Sequence, residues 1–315
     1  MRGTSVLIAS RGPADRLDRL LGSIDSGATE VIVVDNGSPG GEVSRCSESY
    51  ERARALRLEQ NAGFSRAVNL AAAQARGEAI VLLNDDCVCE PGFVEALTRR
   101  IDPRAGVGMA AAVLLEPGEA GLIDSAGMEL DSTLLVYDYL NGEPLELAAN
   151  APAPFGPSAA AAAFDRDLFL DHGGFDERIF AYWEDVDLVL RMRRDGIGCA
   201  LAADAVGEHH HSATLGSGSA AKNRLMGFGR GYVLRKWGVL SPARASAVLA
   251  RELALIAGQA VIDRNLAGAP ARLRGWRAAA PSEEYPAELL ARGGGAGLIR
   301  TLARRLARRR RLASR

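Results

Sequence analysis

The run Ala79-Ile80-Val81-Leu82-Leu83, bounded by Gly77 and Pro91 and ending in Asn84-Asp85-Asp86, constrains this chain more than any other segment. Five consecutive apolar residues show no alternation between faces, so they suit a strand buried on both sides, as in a parallel sheet covered by helices. The neighbouring segments repeat the theme. Ser5–Ser10 and Glu30–Asp35 are further apolar runs, and Leu56–Glu59 is a weaker one. Between them, Asp15–Ile24 places Leu17, Leu20, Leu21 and Ile24 on one helical face, and Ser65–Arg76 reads as a helix stopped by Gly77. Strands alternating with helices predict an α/β fold: a Rossmann-like, mainly parallel sheet with helices on both faces.

The pattern changes after about residue 105. Pro91 suits the first turn of a helix running to about Ile101. Val107–Leu115 and Leu134–Tyr139 read as strands, and Asn141-Gly142 as a hairpin-type turn. The alanine-rich Ala159–Phe164 fits a strand or a helix equally well. Glu184–Asp195 reads as a helix closed by Gly196, and Gly198–Ala203 and Val206–His210 as two short strands. From Ala220 the reading is helical, with a long segment from Pro242 to about Leu266. The expected division is a sheet-bearing domain over 1–218, in halves of about 1–105 and 106–218. A helical extension over 219–275 and a linker with an Arg-rich tail over 276–315 follow.

Composition narrows the class. Hydrophobic content of 48% and charged content of 24% are those of a globular chain. Four scattered cysteines give neither a disulfide framework nor a paired zinc spacing, so reduced thiols are expected. No apolar stretch reads as reaching the ~18 residues of a membrane span. Residues 300–315 hold eight Arg and no acid, so the rest of the chain is acidic and nucleic-acid binding is not expected. Leu298, Ile299, Leu302 and Leu306 share one helical face of that tail, which makes it a candidate for peripheral contact with an anionic membrane.

Four constellations carry chemistry. Asp35 ends the second apolar run before a glycine turn, where a carboxylate can accept hydrogen bonds from a ribose or base; the same Asp-Asn-Gly also suits a plain turn. Asp85 and Asp86 place two like charges at a buried strand end, a costly arrangement that a divalent cation holding a diphosphate would relieve. Tyr182-Trp183-Glu184-Asp185-Val186-Asp187 puts three acids at a helix start, where the helix dipole favours them and where one can serve as general base. His209-His210-His211 lies on a strand pattern, so alternate imidazoles face one way and could complete a metal shell. Neither GxxxxGK[ST] nor GxSxG occurs, so P-loop and serine-hydrolase mechanisms lose support.

Taken in order, five stretches resemble the family 2 glycosyltransferases of the GT-A fold, and bacterial rhamnosyltransferase-like members in particular. They are Val31–Ser38 (VIVVDNGS), Asn61–Asn69 (NAGFSRAVN), Gly77–Gly92 (GEAIVLLNDDCVCEPG), Gly173–Arg191 (GGFDERIFAYWEDVDLVLR) and Ala205–Thr214 (AVGEHHHSAT). The likeness covers about residues 3–240. It implies inverting transfer of a sugar from a nucleotide diphosphate sugar, of UDP or dTDP type, to a hydroxyl of a glycan, lipid-linked or small-molecule acceptor. A divalent metal, Mn2+ or Mg2+, would assist, in the cytoplasm or at the inner face of its membrane. It further implies that Asp35 contacts the nucleoside, that Asn61 and Arg66 line the nucleotide pocket, and that Asp85 holds ribose or diphosphate. Asp86 would bind the metal, Asp185 would be the base, and His209, then His211, would lie on the metal side. Leu215–Ser219 is a candidate lid. The first strand ends Ala-Ser-Arg-Gly where Pro-Thr-Tyr-Asn is common in the family, and Asn84-Asp85-Asp86 stands where many members read Asn-Pro-Asp. A nucleotidyltransferase and a catalytically silent sugar-nucleotide-binding protein are the competing readings.

Overall fold

The computed structural model describes residues 3–118, 121–210, 216 and 218–285. The elements in chain order are β1 (Thr4–Ser10), α1 (Ala14–Ser23), β2 (Glu30–Asn36), α2 (Glu42–Glu48), β3 (Ala53–Leu58), α3 (Phe64–Gln74), β4 (Ala79–Asn84) and β5 (Cys87–Cys89). Next come α4 (Phe93–Thr98), β6 (Val107–Leu115), β7 (Ile123–Ser125), β8 (Met128–Leu130), β9 (Val136–Asp138), β10 (Ala161–Asp165), α5 (Arg166–Asp171) and α6 (Glu184–Arg194). The last are β11 (Gly198–His209), α7 (Ala220–Lys236), α8 (Ala245–Gly258) and α9 (Gly268–Ala278). Two compact units divide the chain: Met1–Met128 with Asp138–Ala213, and Glu129–Tyr137 with Thr214–Arg315.

The first unit is built on a sheet in the order β3-β2-β1-β4-β10-β6-β11-β5, with β7 beside β6. Strands β1 to β4 are mutually parallel, as the unbroken apolar runs predict. Val6, Ile8, Val33, Val81 and Leu83 are almost wholly buried in one cluster with Leu17 and Leu20 of α1. Each such side chain stabilises the fold by about 1.5–3 kcal/mol. In register, Ser10 lies beside Asp35 and Ala9 beside Asn84, so the polar ends of three strands share one edge of the sheet. Chain order departs from spatial order about β1, and the crevice beyond the carboxyl ends of such strands is where open α/β sheets bind ligands.

Beyond β4 the sheet becomes mixed. The alanine-rich segment is a strand: β10 runs antiparallel between β4 and β6, setting Ala161, Ala162 and Ala163 against Leu83, Leu82 and Val81. The two strands read at 198–210 are one strand, β11, whose register slips between Ala202 and Val206, so the pattern break marks an irregularity within it. The strand expected at 134–139 shrinks to Val136–Asp138, paired with β8. The helix after Pro91 is shorter than expected and begins at Phe93 after Gly92 in a left-handed conformation.

In the second unit, α7 and α9 pack closely. A side chain on Gly227, Gly231 or Gly275 would collide with the backbone of the opposite helix at Gly268, Arg272 or Phe228. The Gly-Phe-Gly-Arg-Gly run is thus a helix-packing seam. Buried Arg230 donates to the carbonyls of Thr133 (2.9 Å) and Leu134 and pairs with Glu252 at 2.7 Å. One expectation is corrected here. Helix α8 continues through a π-helical turn, Gln259–Asp263, and the joint segment Ala245–Asp263, 19 residues, is long and apolar enough to cross a membrane by length and composition. Arg251 and Glu252 interrupt the apolar run within that segment.

Candidate functional site

The site grows from the ends of β1, β2 and β4. Asp85 is nearly buried and accepts a 2.6 Å hydrogen bond from the Ser10 hydroxyl at the end of β1. Burial pushes its carboxyl up; the Ser10 bond opposes that, and the neighbouring Asp86 charge adds to it. Asp86 lies 3.2 Å from Nε2 of His209, whose other ring nitrogen, Nδ1, is 3.5 Å from Asp124 of β7. His209 reaches this place because β11 pairs antiparallel with β5, setting His209 opposite Cys87. Burial pulls the imidazolium down, but hydrogen bonds and charge from Asp124 and Asp86 outweigh it and hold its pKa up at about 9.

Asp86, Cys87 and His209 offer ligand atoms within 4.8 Å of one another. Burial drives the Cys87 thiol well up and its sulfur is turned to the Ala160 carbonyl at 3.5 Å, so it remains a thiol. A carboxylate and an imidazole converging beside a second carboxylate suit a hard or borderline divalent cation, and the donor set fits one. The imidazole–Asp124 contact has the form of an outer-shell carboxylate that fixes a ligand histidine.

Asp35 is fully buried, and its carboxylate accepts from the Ser38 amide (2.8 Å), the Ser44 hydroxyl (2.6 Å) and the Ser44 amide (3.3 Å), with Arg57 at 3.8 Å. Burial alone would raise its pKa, but these bonds prevail and hold it below the usual carboxylate value. The structure thus gives Asp35 a turn to hold together, with both oxygens engaged. The next residue, Asn36, grips the loop before α3: its Nδ2 donates to the Gly63 carbonyl at 3.1 Å, and its Oδ1 accepts from the Ala62 amide at 2.8 Å. Gly63, at φ 93°, passes so close to Phe180 that a side chain would strike its carbonyl. Asn61 and Arg66 are both exposed at this loop and at the start of α3.

On the other side, the three acids at the start of α6 separate. Asp187 is fully buried and bonds Arg191 at 3.0 Å, which in turn donates to the Gly174 carbonyl at 2.7 Å; its part is structural. Asp185 accepts from the Ala159 amide at 3.1 Å and its own helix's Val186 amide at 2.8 Å. Burial nonetheless raises its pKa. Glu184 is 5% exposed, and its Oε2 is buried without a hydrogen-bond partner; burial and the Asp185 charge keep its carboxyl well up. Tyr182 and Trp183, just before them, have φ of 67° and 84°, the left-handed region that side chains rarely occupy and that clusters at functional sites. The Tyr182 phenol is pushed up to about 12 by burial and by the charges of Glu184 and Asp86.

The structure therefore brings Asp85, Asp86, His209 and the Glu184–Asp185 pair to one end of the sheet. Sequence reasoning missed Ser10, Asn36 and Asp124. Asn36 was visible in the Asp-Asn-Gly turn; Asp124, one acid in a stretch without clear period, carried no signal. The side chain of His210 faces Glu208 at 3.7 Å, while its amide donates to the Asp86 carbonyl at 3.0 Å. His211, most of the Leu215–Ser219 loop and the Arg-rich tail lie outside the described residues.

Residues 5–119 match the model of glycosyl transferase family 2. An uncharacterised protein, y4gI, of Sinorhizobium fredii is 30% identical over 262 residues, which are 75% of this chain and 28% of that protein. The N-acetylglucosaminyl-diphospho-decaprenol L-rhamnosyltransferase of Mycobacterium tuberculosis is 29% identical over 251 residues, 69% of this chain and 78% of that enzyme. Among solved structures, GalNAc-T7 with UDP, GalNAc and Mn2+ superposes with a TM-score of 0.58 at 15% identity, covering 75% of this chain and 48% of that one. The chain thus spans under a third of the first relative's length and about half of the structural neighbour's. With the matched family model, the sheet topology and the ordered motifs in agreement, residues 5–119 carry a glycosyl transferase family 2 domain, the fold is GT-A, and the chain resembles bacterial rhamnosyltransferases.

Proposed function

We propose that this protein transfers a sugar, with inversion, from a nucleotide diphosphate sugar of UDP or dTDP type to a hydroxyl of a glycan or lipid-linked acceptor, aided by Mn2+ or Mg2+. The observation that carries the reading is the Asp86–His209–Asp124 cluster just past the end of β4, with Asp185 bonded to the Ala159 amide in the segment whose Ala160 carbonyl accepts from the Asn84 amide at 3.0 Å. The solved neighbour bound to UDP and Mn2+ and the rhamnosyltransferase relative agree with it.

Asp86 and His209 would hold the cation, with His211 a further candidate, and Asp124 would orient the His209 ring. The cation, when bound, offsets the negative charge that grows on the departing diphosphate. Asp85, steadied by Ser10, would hold the donor's ribose or diphosphate. Asn61 and Arg66 offer an amide and a guanidinium to the nucleotide, Asp35 would contact its nucleoside, and Asn36 shapes the loop beside it. Asp185 takes the proton from the acceptor hydroxyl. Its burial raises its basicity, and the Ala159 and Val186 amides hold its carboxylate in one orientation. A single displacement with the base and leaving group on opposite faces inverts the anomeric carbon.

A nucleotide-sugar donor and four free cysteines agree with a cytoplasmic setting, and the Arg-rich tail with peripheral contact at its membrane. The test is a thermal-shift panel of UDP, dTDP and GDP sugars with and without Mn2+ or Mg2+, followed by Asp185→Asn. The expected result is stabilisation that needs both metal and one nucleotide, with transfer abolished and nucleotide binding retained in Asp185→Asn. Undiminished transfer by that variant removes Asp185 as the base, and pyrophosphate release from a nucleoside triphosphate would make the protein a nucleotidyltransferase.

A further inference from the structure

Helix α8 is amphipathic in the opposite sense to a surface helix of a water-soluble unit. Its charged residues turn toward their own unit: Arg251 lies 3.8 Å from Asp131, and Glu252 pairs with Arg230 at 2.7 Å and Arg272 at 3.0 Å. Its outward stripe runs through Leu249, 53% exposed, Leu253, 68% exposed, and Val261, 76% exposed, in the π-turn that continues it. The small residues Ala250 and Ala257 fill the spaces between, also exposed, so this stripe carries no charge. Leu266, after the π-turn, and Leu273 of α9 are further exposed leucines, and Arg264, Arg274 and Arg277 in the same stretch of chain are exposed as well. A soluble surface helix shows the reverse pattern, polar outward and apolar inward.

Charge along the chain limits what can cover this face. Residues 1–218 hold 18 basic and 34 acidic side chains, a net −16, whereas residues 219–315 hold 20 and 5, a net +15. A second copy seated on this face would bring two strongly basic regions together, and the Arg-rich tail carries the same sign. Both are opposed by like-charge repulsion. An anionic lipid surface supplies both an apolar layer for the leucines and negative headgroups for the arginines.

We propose that the Leu249–Leu253–Val261 face of α8 lies in the interface of an anionic membrane, with Arg264, Arg274 and Arg277 at headgroup level. The helix rests on the bilayer without crossing it, because Arg251 and Glu252 are tied into the unit's own ion pairs. This contact is separate from that of the tail, and it requires neither donor nor metal, so it stands or falls apart from the transfer reaction. For a lipid-linked acceptor, it would bring the second unit to the surface from which the acceptor is presented.

The test is sedimentation of the full chain with phosphatidylcholine vesicles, with and without phosphatidylglycerol. The expected result is binding to the anionic vesicles only, weakened by salt, and reduced by about tenfold or more in Leu249→Glu/Leu253→Glu. A second measurement uses Leu253→Trp, whose fluorescence should be quenched by brominated anionic lipid. These positions are solvent-exposed, and an unchanged melting profile for each variant confirms the fold. Three results would overturn the proposal. They are no binding by the unchanged chain, full binding by Leu249→Glu/Leu253→Glu with loss only on replacing Arg308–Arg311 by Gln, or a change of that leucine variant from dimer to monomer by light scattering.

Discussion

Two carboxylates occupy equivalent places in this sheet, at or just past the ends of parallel strands, and meet opposite fates. Asp35, at the end of β2, is saturated: two amides and a hydroxyl close on it, and its pKa falls. Asp85, just past the end of β4, has the Ser10 hydroxyl and the Arg16 charge in its favour, but burial and the like-charged Asp86 prevail, and its pKa rises. An acid whose hydrogen bonds outweigh its burial is held as a stable anion; one whose burial and like-charged neighbour prevail gains most from a cationic ligand. The same contrast separates Asp187, paired with Arg191, from Glu184, whose Oε2 is bare. Each pair sets two carboxylates in comparable places, so the surrounding donors assign the roles.

The comparison can be broken most forcefully at Asp86. Asp86→Asn should reduce transfer by about a thousandfold and abolish Mn2+-dependent thermal stabilisation while leaving the metal-free melting temperature close to the parent's. Loss of fold instead would place Asp86 with the structural acids. Asp35→Ala should behave in the opposite way, costing about 3 kcal/mol in urea unfolding because two buried amides and a hydroxyl lose a charged acceptor. The protein that remains folded should still bind metal.

The pH dependence of Asp35 has a definite sign. Its folded pKa lies below the unfolded value of about 3.9, so its contribution is fully present above that value and is lost as pH falls through the lower folded value. Acid unfolding of Asp35→Asn should therefore be less steep in that window than that of the parent; an identical acid limb would show that Asp35 is not a net stabilising anion.

Asp124→Asn tests the outer edge of the metal-side cluster. The expected change is about a 10–100-fold weaker Mn2+ affinity, read by calorimetric or spin-resonance titration without substrate. An unchanged affinity would reduce Asp124 to packing. The smallest effect belongs to Arg57→Ala, a half-exposed partner 3.8 Å from Asp35, with a cost of about 0.5 kcal/mol or less.

The parallel half of the fold was legible because burial on both faces leaves a local mark, an apolar run without alternation, at β1, β2 and β4. The mixed half was less so. The alanines of β10 are small because the strand is squeezed between β4 and β6, a cause that lies 78 to 82 residues away in the chain at Val81–Leu83. The site divides along the same line. Asp85, Asp86 and Asp185 sit in runs of acids whose cost is visible in the sequence. Asp124 and Ser10 become part of the site only when β7 and β1 come beside their neighbours. Helix α8 was readable in extent, but its orientation was not, since only pairing with Asp131, Arg230 and Arg272 reveals that Arg251 and Glu252 face inward.

Asn69 has a consequence for anyone who would recombine this protein with a relative. Its amide donates to the Phe175 carbonyl and accepts from the Phe175 amide, each at 2.8 Å, while the Phe64 amide bonds the Phe180 carbonyl at 2.7 Å. The segment expected to read the nucleotide is thereby laced to the one leading into Asp185, more than a hundred residues later. On the proposed function, donor and acceptor preference are therefore not separately portable modules. A chimera that imports residues 61–69 without 174–180 inherits a mismatched seam, and exchanging both segments as one block is the unit of recombination that the hydrogen bonds define.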